Sequence, residues 1–373
     1  MTHPTRRHLL HTGLAATLSQ ALPLAVHAQT AASEPRFEPQ VAAWRTFEVT
    51  TTITVADVKG ATQLWLPVPD LDTDYQKSLD NTWSGNAGNA RLVSDPKQGV
   101  RMLQAEFPAS VSAPTLTLTS RVQTRNRAVN WAQPVAAKED PAVLKANLSA
   151  TELQPLDGIV LKTALAATQG AKTDVDKARA LYSWVVANSY REPKTRGCGT
   201  GDIKAMLETG NLSGKCADLN ALFVGLCRAV GVPARDVYGL RLAPSAFGYR
   251  ELGGNSVNLK GAQHCRAEVY LRGFGWVAMD PADVLKVMRQ EKPEWIKDVR
   301  HPLIAPVNKA LFGGWEGNWV GWNTAHDISL PGSGAKQTLP FLMYPQGQND
   351  SGRFDELAPD SFKYAIAARE LTS

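Results

Sequence analysis

At 373 residues, 43% of them hydrophobic, the chain can bury a sizeable core and is longer than one small domain needs. Its 40 basic and 35 acidic residues give a charge of +5 with no clustered basic stripe, which excludes a nucleic-acid binder held by charge. Four cysteines are too few for a disulfide-built scaffold.

The chain begins with Thr5-Arg6-Arg7-His8-Leu9-Leu10, a modestly apolar run to Ala25, and a small-residue cleavage site, Val26-His27-Ala28, before Gln29. Residues 1–28 therefore resemble a twin-arginine export signal, which implies a periplasmic or secreted bacterial protein. Its removal takes two arginines and no acid, leaving 38 basic against 35 acidic residues. Four of the seven histidines leave with it, and His264, His301 and His326 remain. No later stretch reaches the roughly 18 apolar residues of a membrane span, so none is expected.

Residues 44–56 place Phe47, Val49, Thr51, Ile53 and Val55 at alternate positions, the period of a strand with one buried face. Leu116, Leu118, Ser120 and Val122 repeat the pattern, and Thr62–Val68 and Val100–Phe107 lie between. Residues 41–130 thus read as an antiparallel β-sandwich, with Trp83–Asn89 as a loop. No catalytic grouping occurs there.

From Asp140 the period becomes helical. Thr173 and Asp176 form a capping-box pattern before the apolar face Val175, Ala178, Leu181, Tyr182, Val185 and Val186, and Asp202 is placed to cap a short helix. The Gly-rich, basic segment 190–201 suits the rim of a cleft and equally a solvated loop. The run from Ser213 to Pro233 then reads as a central buried helix, apolar on nearly every side, with Ser213 as N-cap and Gly231 and Pro233 as its stop. Cys216 falls in its first turn, where unpaired N–H groups and the helix dipole favour a thiolate.

A strand is expected over Ala234–Leu242, followed by a Gly-rich excursion, Ala243–Gly261, suited to act as a flap. Next come a strand carrying His264 and a strand ending at Asp280; a three-residue connection, Arg272-Gly273-Phe274, makes the two side chains diagonal neighbours. Residues 291–373 form an extension with strands at Leu339–Tyr344 and Phe362–Ala368 that extend one of the sheets. Its tryptophans, Trp295, Trp315, Trp319 and Trp322, read as packing, with a peptide or glycan groove as the alternative.

The cysteines constrain each other. Cys216 and Cys227 lie on one helix about 16 Å apart and cannot pair. If Cys216 stays free for chemistry, Cys198 with Cys265 is the preferred disulfide, and Cys227 is a buried thiol. A metal site from Cys216, His264 and Asp280 would be short of ligands, so no metal or cofactor is expected.

In chain order, Gly214-Lys215-Cys216, Pro233-Ala234-Arg235, His264 to Glu268-Val269, and Gly275-Trp276 to Asp280-Pro281 together resemble the transglutaminase-like superfamily over residues 150–290. The resemblance implies an α+β, papain-like core, a central helix against an antiparallel sheet, preceded here by the β-sandwich. It implies Cys216 as nucleophile, His264 as proton carrier and Asp280 as its orienting carboxylate. The backbone N–H of Cys216 would supply half of an oxyanion hole, with Tyr190 the candidate for the other half. The chain departs from the family at His264-Cys265-Arg266, where the family reads His-Ala-Trp, and at Asp280-Pro281-Ala282-Asp283, where it reads Asp-Pro-Thr. The expectation is a cysteine peptidase or amidase acting on a peptide or protein, ahead of a protein-glutamine transglutaminase, since no calcium cage is legible. A non-catalytic binding module is the competing class. Oligomeric state is not legible.

Overall fold

In the computed structural model the described residues are 36–371, except 57, 136 and 337; the export signal expected over residues 1–28 lies outside them. The strand Arg45–Thr54 buries Phe47, Val49, Thr51 and Ile53, as the alternation predicts. It runs antiparallel between Thr115–Thr124 and the C-terminal strand Tyr364–Leu371, and Gln76–Gly85 completes a four-stranded sheet. A second, five-stranded sheet follows the order Gly352–Arg353, Gln346–Asn349, Thr62–Pro67, Arg101–Phe107, Asn89–Ser94. Leu64, Leu66, Leu103, Phe47, Ile53 and Leu118 from the two sheets share one apolar core.

The C-terminal extension thus adds strands to both sheets. The expected strand at Leu339–Tyr344 is not one. Leu339 makes an isolated bridge to Ile328, and Leu342, Met343 and Tyr344 are buried in succession, so that run is apolar because it fills space on all sides. The last strand begins at Tyr364, after a short helix, Pro359–Phe362. The loop expected at Trp83–Asn89 shrinks to residues 86–88, because Gln76–Gly85 continues as a strand. That strand is largely exposed on both faces, so no alternating burial marked it in the sequence.

A second antiparallel sheet system carries the core. Its order is Gly275–Met279, Gln263–Leu271, Ala234–Arg241, Trp319–Asn323, with residues 272–274 as the tight connection expected. Against it lies the helix Cys216–Ala229, buried from Cys216 through Arg228. Helix Asp174–Asn188 packs beside it under the Thr173–Asp176 capping box, and Asp202 caps Ile203–Thr209.

The start of the central helix differs from expectation. Ser213 does not cap it: Ser213 and Gly214 pair with Tyr190 and Arg191 in a short parallel bridge, and the Ser213 hydroxyl donates to Asn211 Oδ1. Lys215 is the N-cap, and its N–H donates to Asp218 Oδ2 at 3.0 Å. Cys216 is therefore the first helical residue. At the other end Gly231 has φ +81°, the left-handed stop its position requires.

The excursion Ala243–Gly261 is a fixed wall rather than a flap. Tyr249 donates its hydroxyl to Leu303 O at 2.9 Å, Arg241 Nη1 donates to Leu252 O at 2.7 Å, and Leu259 N donates to Ile366 O at 2.7 Å. With Tyr249, Leu252 and Leu259 all buried, moving it would expose apolar surface and break these bonds. Trp315, Trp319 and Trp322 are buried packing residues, which removes the groove alternative for them.

Candidate active site

The cleft, of about 430 Å³, opens at the N-terminus of the Cys216 helix and is bounded by the 253–262 wall, Arg191, Arg241 and Lys286. Cys216, Gln263 and His264 line its floor. Three elements converge there for local reasons: the helix begins at Cys216, the His264 strand begins at Gln263, and the Gly275–Met279 strand delivers Asp280 as N-cap of the helix Pro281–Gln290.

His264 is 3% exposed, and its Nε2 lies 2.7 Å from Asp280 Oδ2. Cys216 lines the same cleft, and the imidazole's charge lowers the pKa of its thiol; with Nε2 committed to Asp280, Nδ1 is the nitrogen left for the sulfur. Cys216, His264 and Asp280 are thus brought together in the order thiol, imidazole, carboxylate. Asp280 is fixed in turn: Asn220 Nδ2 and the Asp283 N–H donate to its Oδ1 at 3.3 and 3.1 Å.

A second carboxylate, which sequence reading noted only as a departure, also faces the histidine. Asp283 Oδ2 is 3.4 Å from His264 Nε2, and Asp283 Oδ1 accepts from Arg241 Nη2 at 2.5 Å. The spacing Asp280-Pro281-Ala282-Asp283 is that of an N-cap and its third helical residue, which puts both acids on the first turn. The signal was present but reads first as capping.

Burial and Arg241 both disfavour a charged His264, yet Asp283 and Asp280 outweigh them and raise its pKa to about 9. Cys216 moves the other way, well below an ordinary thiol. The neighbouring Cys198 and Cys265 thiols and the charge of the His264 imidazolium favour its thiolate, and burial opposes them. The first-turn position favours the same anion. Both shifts favour a thiolate–imidazolium pair.

The same convergence corrects the expected disulfide. Cys198 and Cys265 are free thiols, as are Cys216 and Cys227. Cys198 donates its thiol to Gln263 O at 3.3 Å, and the neighbouring Cys216 together with burial pushes the pKa values of Cys198 and Cys265 up. Cys198 is brought there by Asp218, whose Oδ1 accepts from Thr200 N and Gly201 N while Ala217 N donates to Cys198 O. Gly199, at φ +92°, fits where a Cβ would lie 1.8 Å from the Asp218 carboxylate.

Tyr190 is not at the cleft. Its ring is 37% exposed and lies 5.6 Å from that of Trp295, whereas its neighbour Arg191 turns in. A residue that sequence reading passed over is Gln263: it lines the cleft, is 8% exposed, and its Nε2 is buried without a partner among the described residues, which makes it a candidate second donor. Arg266, which replaces the aromatic residue of the family pattern, is buried over the rings of Trp319 and Trp315 and lies 3.6 Å from Asp280, so it supports that carboxylate's charge.

His264, Asp280 and Asp283 present a set of metal-ligating atoms. Arg241 and Arg266 already neutralise the two acids, so a cation would have to displace them. Among the described residues no helix is long and apolar enough to cross a membrane.

A family model described as the transglutaminase-like superfamily matches residues 162–281. An uncharacterized protein of Haemophilus influenzae is 34% identical over 328 residues, 84% of this chain and 87% of that protein. Among solved structures, one described as a "putative cysteine protease" from Cytophaga hutchinsonii aligns with a TM-score of 0.55 at 16% identity, over 90% of this chain and 93% of that one. The periplasmic domain of TgpA from Pseudomonas aeruginosa aligns with a TM-score of 0.38 at 16% identity, over 68% of this chain and 92% of that one. At these identities the structural likeness of the first concerns the fold alone.

Proposed function

The chain belongs to the transglutaminase-like superfamily, and from that premise we propose that it is an exported thiol acyl-transfer enzyme acting on peptide or isopeptide amides, with hydrolysis ahead of crosslinking. The observation that carries the reading is the buried His264 imidazole, bonded to Asp280 and lining one cleft with Cys216. The Cys216 thiolate attacks the amide carbonyl, forming the S–C bond, and the oxyanion is met by the Cys216 N–H and Gln263 Nε2. The His264 imidazolium then gives its proton to the leaving amine as the C–N bond breaks, which leaves a thioester and a neutral imidazole. That imidazole takes a proton from water as it attacks the thioester, releasing the acid and restoring the ion pair. Asp280 keeps the imidazole oriented and stabilises its charged form throughout. Export follows from the signal-like residues 1–28.

The test is mass analysis of Cys216 during turnover of activated esters and peptide amides, with and without a primary amine. An acyl adduct on Cys216 that is discharged chiefly to water supports the reading. Discharge chiefly to the amine would make the protein a transglutaminase instead. No adduct from any acyl donor would move it to the class of binding modules. In the same assay Gln263→Ala is expected to lower kcat by about 10²–10³-fold with little change in KM, because its donor meets charge that exists only in the transition state. An unchanged kcat would remove Gln263 from the oxyanion hole.

A further inference from the structure

The cleft above Cys216 is walled by four cations, Arg191, Arg241, Lys260 and Lys286, and by no carboxylate among the described residues. Three of the four have an acid of their own. Arg241 holds Asp283 at 2.5 Å, Lys286 lies 3.3 Å from Glu251, and Lys260 pairs with Asp360. Arg191 has no ion-pair partner among the described residues; its Nε donates to the neutral amide oxygen Oε1 of Gln290 at 3.0 Å. That bond fixes the guanidinium by its inner edge and leaves Nη1 and Nη2, the fork that matches a carboxylate.

The position is set by backbone pairing. Arg191 lies opposite Gly214 in the short parallel bridge, two residues before Cys216, and Glu192 N donates to Gly214 O at 2.9 Å. A half-buried cation beside the nucleophile, with no carboxylate partner among the described residues and in a cleft walled by cations, favours an anionic ligand. The structure assigns Arg191 as a specificity-determining residue: it binds a free carboxylate of the substrate next to the scissile amide, so the preferred substrates are acidic peptides or peptides attacked beside a free terminus.

This inference rests on Cys216 being the nucleophile, and the experiment separates the two. Cys216 of the full chain is alkylated with iodoacetate, which carries the carboxylate, and with neutral iodoacetamide of nearly the same size, and adducts are mapped by peptide mass. The iodoacetate-to-iodoacetamide rate ratio is expected to exceed that of a free thiol by about tenfold, to fall to the free-thiol value in Arg191→Gln, to be largely kept in Arg191→Lys, and to decline with salt. A ratio equal to the free thiol's, or one indifferent to Arg191→Gln, overturns the assignment. If Cys216 is inert to both reagents, the nucleophile reading has failed instead. Protection of Cys216 by short peptides names the source. A peptide protecting only with a free C-terminus identifies the α-carboxylate, and a C-amidated peptide protecting only with Glu or Asp identifies a side chain. Equal protection by a neutral amidated peptide, or none by any, also overturns it.

Discussion

Cys216→Ala is expected to lower kcat for amide or ester turnover at least ~10⁴-fold while leaving the melting temperature close to that of the parent chain. No other group in the cleft can take over the attack. Cys198 and Cys265 flank the same position, but burial and the neighbouring Cys216 push both thiols' pKa values up, against attack. His264→Ala is expected to lose nearly as much, and the double variant little more, because thiolate and imidazole act as one unit and their losses do not add. Activity should also be confined to a window. It falls as acid protonates Cys216 at its lowered pKa, and it falls again above pH about 9, where His264 no longer holds the proton for the leaving amine. The pH profile of kcat/KM checks this. A Cys216→Ala variant within tenfold of the parent would end the nucleophile assignment.

Glu268→Gln is expected to destabilise the protein by about 3–5 kcal/mol, read as a loss of unfolding free energy in denaturant. Glu268 is fully buried at the centre of the His264 strand, where its Oε2 accepts from Arg235 Nε at 2.6 Å and its Oε1 from Arg127 Nη1. Arg127 comes from the short strand Arg127–Ala128 after the sandwich and stacks over Tyr75 and Trp315, and Arg235 stacks over Trp276. One carboxylate therefore ties two guanidiniums from different parts of the chain. An amide in its place has one acceptor oxygen and no charge, which leaves buried positive charge uncompensated. Burial pushes Glu268 up, but Arg235 and Arg127 together hold it below the ordinary range. A carboxyl depressed in the folded state contributes its full stabilisation above the unfolded value of about 4.3 and loses it as pH falls through the folded value. The parent should lose stability on acidification through that window, and the variant should lack this part of the slope. Equal stability of the two proteins at neutral pH would contradict the account of this network.

Much of the site was legible because its chemistry is written locally. The first-turn cysteine, the strand bearing His264 and the three-residue connection to Asp280 each have a spacing that leaves few alternatives. What was missed depends on contacts between distant segments. Arg241 meets Asp283, and Arg191 meets the chain before Cys216, only once the sheet and the short parallel bridge exist. The disulfide was inferred from which thiols remained, but the fold spends those thiols on Cys216. Tyr190, the candidate second donor, is sent outward to Trp295 by strand alternation, which brings Arg191 in. In the flanking sheets, Phe47 to Ile53 were readable because one face is buried, and Gln76–Gly85 was not because neither face is.

The most direct test of the ion pair is the rate of Cys216 alkylation by iodoacetamide against pH, followed by peptide mapping in the parent, in His264→Ala and in the Cys198→Ala/Cys265→Ala variant. The expected profile rises well below the value near 8.5 of an ordinary thiol and moves upward in both variants, since each removes groups that favour the thiolate. A Cys216 that titrates as an ordinary thiol, with the same profile when His264 is gone, would contradict a thiolate–imidazolium pair and the enzyme built on it.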